Sequence, residues 1–384
     1  MAQGKDLSVV LNAIRATSSS AYQSTVPMAT ASNIADVGTA VLNAPTAIRN
    51  EFMTNLYNKI GLTLIDSPVI ENEFSFLKKG TLDYGQTIED IYVGLASSEQ
   101  YVTGMKDGDE VPDPFSIRKL PHYSAFYSTI LSRQYQVTRH LTDLKKAFHS
   151  GMGVEQFISG MMNALVSAEN YDDYRATIGL IARQIEEAQK AENFKGNVHL
   201  ITDFNKLYPE DTVTAETAFT NMNFIKYFAN QLKKYSKRMR HLRSDMNVAG
   251  VPQTLPQSKQ RIIMLEDLTV DFETELLAFA YHADRFLLDG VDTIDAWYSI
   301  GADHSSTPVV SPESIEVKST FTTTEGSAQC VAMIYDTDMV KIYNKERIAS
   351  DQANAKGNYW NMFMSLEDIY ACSPYKNFVC FMLD

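Results

Sequence analysis

VEQFISGMMNALVSAENYDDYRATIGLIARQIEEAQKAE, residues 154–192, is the stretch on which the fold turns. Val154, Phe157, Ile158, Met161, Leu165, Val166, Ile178, Ile181 and Ile185 recur mostly three or four apart. That spacing gathers them on one face of a helix. Ser150-Gly151-Met152-Gly153 precedes the run as a breaker without a clear side-chain cap, and Gly196 follows as a C-terminal stop. Unbroken, such a helix is roughly 57 Å long at about 1.5 Å per residue, where the usual mean is about 11–12 residues. A compact globule of this chain length has a radius of gyration near ~21 Å, so one such helix would cross the whole molecule. The polar segment Asn170-Tyr171-Asp172-Asp173-Tyr174 is where it would split or bend. Two readings stand: a pair of ordinary helices, or the spine of an elongated subunit.

Around this run, the composition describes a folded chain. It has 384 residues, 45% hydrophobic and 21% charged, enough for one large or two ordinary domains. The formal net charge of -13 argues against a general phosphate-backbone binder, whose affinity comes from Lys and Arg. Cys330, Cys372 and Cys380 include no Cys-x-x-Cys pair, which points to a reducing compartment without structural disulfides or a thiolate zinc site. The N-terminus lacks the apolar region of a secretory signal, and no run approaches the ~18 apolar residues of a membrane span.

Before the central run, a short amphipathic piece (Leu7, Val10, Leu11, Ile14) leads into Ala16–Ala40, rich in Ala, Ser and Thr. Such a segment buries little area alone and orders by lying on something else, unless it is a frayed terminus. The spacing of Phe52, Leu56 and Ile60 predicts a helix over 50–60, and Leu62–Ile65 reads as a strand. From Glu71 to Arg139, Gly and Pro punctuate short alternating segments such as Thr87–Val93 and Tyr123–Val137, the pattern of a β-hairpin with long loops. Along Tyr123–Leu131 neither alternating face is cleanly polar, so the hairpin wants partners on both sides. In an assembly that is an interface.

Beyond the central run, Val198–Ile201 reads as a strand. Asn223–Arg243 reads as a helix with Phe224, Phe228, Leu232, Tyr235 and Met239 on its apolar face. Its other face carries Lys233, Lys234, Lys237, Arg238, Arg240, His241 and Arg243. Arg261–Leu265 is β-rich, Thr274–Ala280 and Ala283–Leu288 are helical pieces, and Pro308–Thr324 is a surface loop or hairpin. Strands follow at Ala332–Ile334, Met339–Asn344, Trp360–Met364 and Phe378–Met382. A β-hairpin, a long helix and then mixed elements make an α+β protein rather than regular βαβ winding.

No motif of known chemistry emerges. The seven histidines form neither His-Glu-x-x-His nor a Cys/His ligand spacing. No phosphate-cradling glycine loop, dinucleotide fingerprint or nucleophile elbow is present. Glu186-Glu187, Glu89-Asp90 and Asp172-Asp173 are adjacent pairs whose side chains diverge, as suits solvated faces. The basic run Lys233–Arg243 reads as a solvated face, an inter-subunit salt-bridge surface or a DNA contact.

Several stretches, in order, carry a resemblance. They are Val26-Pro27-Met28-Ala29-Thr30, Asn33–Gly38, Asn50–Gly61, Leu77-Lys78-Lys79-Gly80, Gly85–Tyr92, Arg261–Gly290 and Gly357-Asn358-Tyr359-Trp360-Asn361. Collinear over nearly the whole chain, they resemble the major capsid (head) protein of short-tailed, Picovirinae-type bacteriophages. The resemblance implies the tailed-phage major capsid fold of the Hong Kong type. It implies an N-terminal arm (1–50), the start of a peripheral domain (51–65) and an extended loop (66–140) that overlaps a neighbouring subunit. The peripheral domain with its spine helix (141–196), an axial domain (197–330) and return strands (331–384) complete it.

The implied function is a non-enzymatic subunit that assembles with itself, as pentamers and hexamers, into an icosahedral shell around double-stranded DNA. Assembly in the host bacterial cytoplasm, a separate scaffolding protein, a portal and head fibres are implied with it. No cofactor, metal or membrane is implied, and no immunoglobulin-like domain after the core. In the type member of the fold a loop lysine is cross-linked; here Lys78 and Lys79 lie in the loop without a matching acceptor motif, so ordinary contacts with acidic neighbours are expected. Expected interface residues are Lys78, Lys79, Phe126 and Tyr127 of the loop, and Lys233, Lys234, Lys237 and Arg238 of the basic helix. The alternatives are a soluble acidic α+β enzyme with an unrecognised site, or an oligomeric nucleic-acid binder using the basic helix.

Overall fold

The computed structural model describes residues 7–30, 33–63, 72–82, 87–98, 115, 117–127, 130–140, 151–191, 193–266, 291–300, 309–310, 315–323 and 326–384. The chain divides into two compact units. The first comprises Met1–Ser75, Leu131–Arg175 and Asn344–Asp368; the second comprises Phe76–Ile130, Ala176–Tyr343 and Ile369–Asp384.

In the first unit, helices α1 (Leu7–Thr17), α2 (Ser20–Thr25), α3 (Ile34–Asn43) and α4 (Thr46–Thr63) wrap one apolar cluster. Leu11, Ile14, Tyr22, Val37, Val41 and Phe52 are buried there with Trp360, Met362, Met364 and Leu366. The last four alternate along strand β14 (Tyr359–Cys372), the period-two pattern of a strand with one face on a core. The small-residue segment thus orders on its own chain. Two polar side chains of α1 pin it: Asn12 exchanges two hydrogen bonds with the backbone of Ala29, at 2.8 and 2.9 Å. Arg15 donates to the carbonyls of Val26 (3.0 Å) and Gln23 (2.8 Å). Leu62 and Thr63, read as the start of a strand, instead finish α4.

The central run is one helix, α5 (Gly151–Lys190), 40 residues long. Strand β4 (Ile130–His140) explains why the polar segment does not break it. The guanidinium of Arg133 bonds Asp173 through Nη1 and Asp368 through Nη2, all three side chains being buried. Tyr135, two residues along the same strand face, donates its hydroxyl to Asp172 at 2.7 Å. Both acids that read as a solvated break are held by β4. The expected loop range 66–140 therefore ends on a sheet strand: β4 lies beside β14, and β14 beside β13 (Val340–Asn354), while β1 spans Lys78–Thr81 and β9 Val309–Val310.

The second unit holds a mixed sheet ordered β5-β15-β12-β6-β7, from Asn197–His199, Phe378–Leu383, Gly326–Asp336, Gln260–Leu265 and Val291–Ile294. Every residue of β15 is buried, as expected for a central strand covered on both faces. Helices α6 (Leu200–Leu207) and α7 (Met222–Arg238) share a buried cluster with it. Phe224, Ile225, Phe228 and Leu232 of α7 are buried with Val331, Ile334 and Phe381 of the sheet. Asn221 caps α7 by accepting from the N–H groups of Asn223 and Phe224. At Gly179 of α5 a β-carbon would stand 2.7 Å from Cγ1 of Ile300 on β8 (Trp297–Ile300), so only glycine allows that approach.

Three further expectations shift. Leu200 and Ile201 start α6 rather than continuing a strand. Helix α7 ends at Arg238, because buried Met239 turns the chain and its carbonyl accepts from Leu255 N–H at 2.7 Å. Arg240, His241 and Arg243 therefore lie beyond the helix. Residues 308–324 contain strands β10 (Ile315–Lys318) and β11 (Phe321–Thr323), paired with β8 and β12. The pieces at 274–280 and 283–288 lie outside the described residues.

Candidate subunit-interface surface

Strands β2 (Ile88–Val93) and β3 (His122–Tyr127) pair antiparallel with Ile88 opposite Tyr127 and Val93 opposite His122. The pleat sends Ile88, Asp90, Tyr92, Tyr123, Ala125 and Tyr127 to one face and Glu89, Ile91, Val93, His122, Ser124 and Phe126 to the other. The first face is anchored within the second unit. Tyr92 is buried with Val251 and Tyr375, and its hydroxyl donates to the Pro252 carbonyl at 2.7 Å. Asp90 is the polar anchor. Its carboxylate pairs with Lys341 Nζ at 2.7 Å and accepts from the hydroxyls of Ser373 (2.5 Å) and Tyr127 (3.3 Å). Burial, then the charge of Asp90, push the Tyr127 hydroxyl far above its usual pKa, so it stays a donor.

Burial raises the pKa of the Asp90 carboxyl, but the bonds from Lys341, Ser373 and Tyr127 outweigh it and leave it below the usual value of 3.8. A folded-state pKa below the unfolded one gives stability that is present above the unfolded value and lost as pH falls through the folded one. Amide protection in β2, relative to the intrinsic exchange rate at the same pH, is expected to fall below about pH 4. The Asp90→Asn chain should lose the Lys341 pair at every pH and show no such acid step. An acid step of wild-type size in that variant would refute the anchor.

The second face is uncovered among the described residues, and three of its side chains are large and apolar. Ile91 is 53% exposed, Val93 56% and Phe126 65%. Beyond the strand ends, Leu95, Phe115, Ile117 and Leu120 are exposed as well, Phe115 and Ile117 at 85% each. Isolated exposed apolar residues are ordinary; this many between positions 91 and 126 form the kind of surface that marks an interaction site. Phe126 was legible from sequence, whereas Ile91 and Val93 were not singled out. Their signal was the period of two about Tyr92, and only the burial of Tyr92 decides which phase faces out.

The charged expectations separate. Lys79 finds its acid within its own chain, 3.3 Å from Asp338, which also takes Lys259 at 2.6 Å. Lys78 is half-buried on β1. On α7, Lys234, Lys237 and Arg238 are exposed and Lys233 is half-buried. Burial and then the neighbouring charge of Lys237 lower the pKa of Lys233. The guanidinium of Arg238 lies 5.1 Å from the centre of the Tyr235 ring. Among the described residues no group of three His, Cys, Asp or Glu side chains is placed to hold a metal ion. Among them no helix is long and apolar enough to cross a membrane.

A family model described as Phi29-like phage major capsid protein matches residues 11–382. The chain belongs to that family. The major capsid protein of Bacillus phage B103 is 25% identical over 375 residues, covering 97% of this chain and 72% of that protein. That of Streptococcus phage Cp-1 is 27% identical over 315 residues, covering 80% and 81%. Among solved structures, a chain of the Staphylococcus phage Andhra capsid superposes with a TM-score of 0.56 at 11% identity, covering 84% of this chain and 86% of that one. A chain from the structure of the head fiber and inner core protein of native bacteriophage P68 gives 0.55 at 12% identity, covering 83% and 87%. The fold of this major capsid protein is thus the α+β tailed-phage capsid fold. It is a structural, shell-forming protein of the virion, and the enzyme alternative falls with the family.

Proposed function

We propose that this capsid protein builds an icosahedral head around double-stranded DNA, from pentamers and hexamers of itself, in the cytoplasm of the host bacterium. A separate scaffolding protein, a portal and head fibres are its partners, and the DNA is enclosed without sequence-specific contacts. Residues 1–50 serve as the arm, 66–140 contain the extended loop, 141–196 carry the spine helix, 197–330 form the axial domain and 331–384 the return strands. Lys78, Lys79, Phe126, Lys233, Lys234, Lys237 and Arg238 belong to its subunit contacts, with Ile91 and Val93 added by their exposure, while Tyr127 supports the contact face from behind through Asp90.

The observation that carries this reading is the two-sided hairpin. One face is anchored through Tyr92 and Asp90, and the other presents Ile91, Val93 and Phe126 with no cover among the described residues. Burying that face on a neighbouring copy removes apolar area from water at about 25 cal/mol per Å². An Ile91→Asp/Phe126→Asp chain should keep the wild-type circular dichroism and melting temperature, because neither side chain is buried. Under conditions where the wild-type chain forms shells by electron microscopy and sedimentation, it should stay as free subunits. Shells at wild-type yield from this variant would overturn the reading.

A further inference from the structure

Helix α7 is electrically bipolar. At its N-terminal end the loop 208–217 carries Glu210, Asp211 and Glu216. The loop is fixed there. Asp211 accepts from the side-chain amides of Asn221 (2.7 Å) and Asn223 (2.8 Å), the capping residue and a residue of the first turn. Asn205 clasps the other side, bonding the carbonyl and N–H of Val213 at 3.0 and 2.8 Å. The amides of Asn223 and then Asn221 hold the Asp211 carboxyl below its usual pKa, so it is an anion at neutral pH. Glu210 and Glu216 are exposed on this fixed loop. They make no ion pair among the described residues.

Cations gather at the other end. Lys233, Lys234, Lys237 and Arg238 lie on the side of α7 opposite Phe228, Leu232 and Ser236, which face the core. Lys234 and Lys237 make no ion pair among the described residues. The helix macrodipole favours anions at the first turn and cations at the last, but its influence fades within one turn. Lys233 and Lys234 stand a turn further in, so the dipole does not account for them. The helix is 17 residues long, so at about 1.5 Å each its two ends stand about 25 Å apart.

A chain that displays opposite charges at the two ends of one rigid helix is complementary to a copy of itself shifted head to tail. Such a heterologous contact generates rings when the rotation closes. The geometry points to a charge clasp between neighbouring copies, in which Lys233, Lys234, Lys237 and Arg238 of one subunit meet Glu210, Asp211 and Glu216 of the next. This inference rests on the shell-forming reading and names the acidic partner of the basic helix. The clasp sets the register and spacing of subunits around a ring, the role charge complementarity performs best at interfaces.

Charge exchange tests it. Two double variants, Lys234→Glu/Lys237→Glu and Glu210→Lys/Glu216→Lys, alter only exposed side chains without intramolecular ion pairs and should melt like wild type. Each sets like charges face to face and should cut the yield of rings and shells at low salt by about tenfold or more. The quadruple variant carries both reversals and restores opposite charges between the four altered positions, so its yield should recover most of what each double loses. Wild-type yields from both doubles would make the patches solvated faces and overturn the clasp. So would a quadruple variant no better than the doubles, or two-subunit complexes in place of rings. Normal shells that lose only their hold on DNA when the lysines are reversed would reassign the patch to DNA. A wild-type chain that stays monomeric in the same assay, with scaffold present, would refute the shell reading itself and the clasp with it.

Discussion

Replacing Arg133 with methionine is expected to destabilise the protein by about 3–5 kcal/mol, because it strands two buried carboxylates. Arg133 of β4 is the shared cation of Asp173 on α5 and Asp368 on β14. Its Nη1 also reaches the backbone carbonyl of Glu169 at 3.5 Å. Bringing three charges out of water is costly, and their attraction offsets that cost only while the set is complete. With the guanidinium gone, two anions face each other in an apolar setting. The loss should appear as a lower denaturant midpoint, with faster amide exchange centred on residues 168–176 of α5. Arg133→Lys keeps the charge but not the planar fork, and should recover only part of the loss. Arg133→Met/Asp173→Leu/Asp368→Leu replaces the whole set by apolar volume and should recover most of it. An unfolding free energy within about 0.5 kcal/mol of wild type for Arg133→Met would show that the triad contributes nothing.

Truncating Phe228 to alanine is the other large effect, again about 3–5 kcal/mol. Phe228 is buried in the middle of α7, its ring edge-on to Phe381 of the sheet at 5.7 Å and to Phe219 at 6.3 Å. Phe204 and Phe224 continue the cluster at 5.4 Å. The cavity left behind removes apolar burial and edge-to-face contacts together. The same contacts aim the charged face of α7 outward, so the variant should lose ring formation at temperatures where its far-ultraviolet dichroism is still native. Leucine at this position keeps much of the volume and should lose clearly less. Equal losses for alanine and leucine would mean that ring contacts, not volume, dominate.

Much of the fold was legible because its signals are local. The apolar spacing of Val154–Glu192 specified a helix, and Trp360–Met364 read as a strand. Phe378–Met382 was legible as a strand, and the structure makes it a central one. The basic face of α7 was visible as charges opposite an apolar stripe. Two questions the sequence left open have one cause in common. Asn12 and Arg15 order the small-residue segment, and Arg133 and Tyr135 neutralise the polar segment of α5, through contacts between residues far apart in the chain. Period and propensity do not register such contacts.

The sequence by itself determined the α+β class, the long central helix as a candidate, the two-sided apolar hairpin and the collinear capsid-protein motifs. Tertiary structure alone decided that α5 runs unbroken, since an aspartate is a helix interruption in water and a core residue beside a buried arginine. It also decided which face of the hairpin is exposed. Strand alternation defines two faces but assigns neither to solvent until one, here that of Tyr92 and Asp90, is anchored.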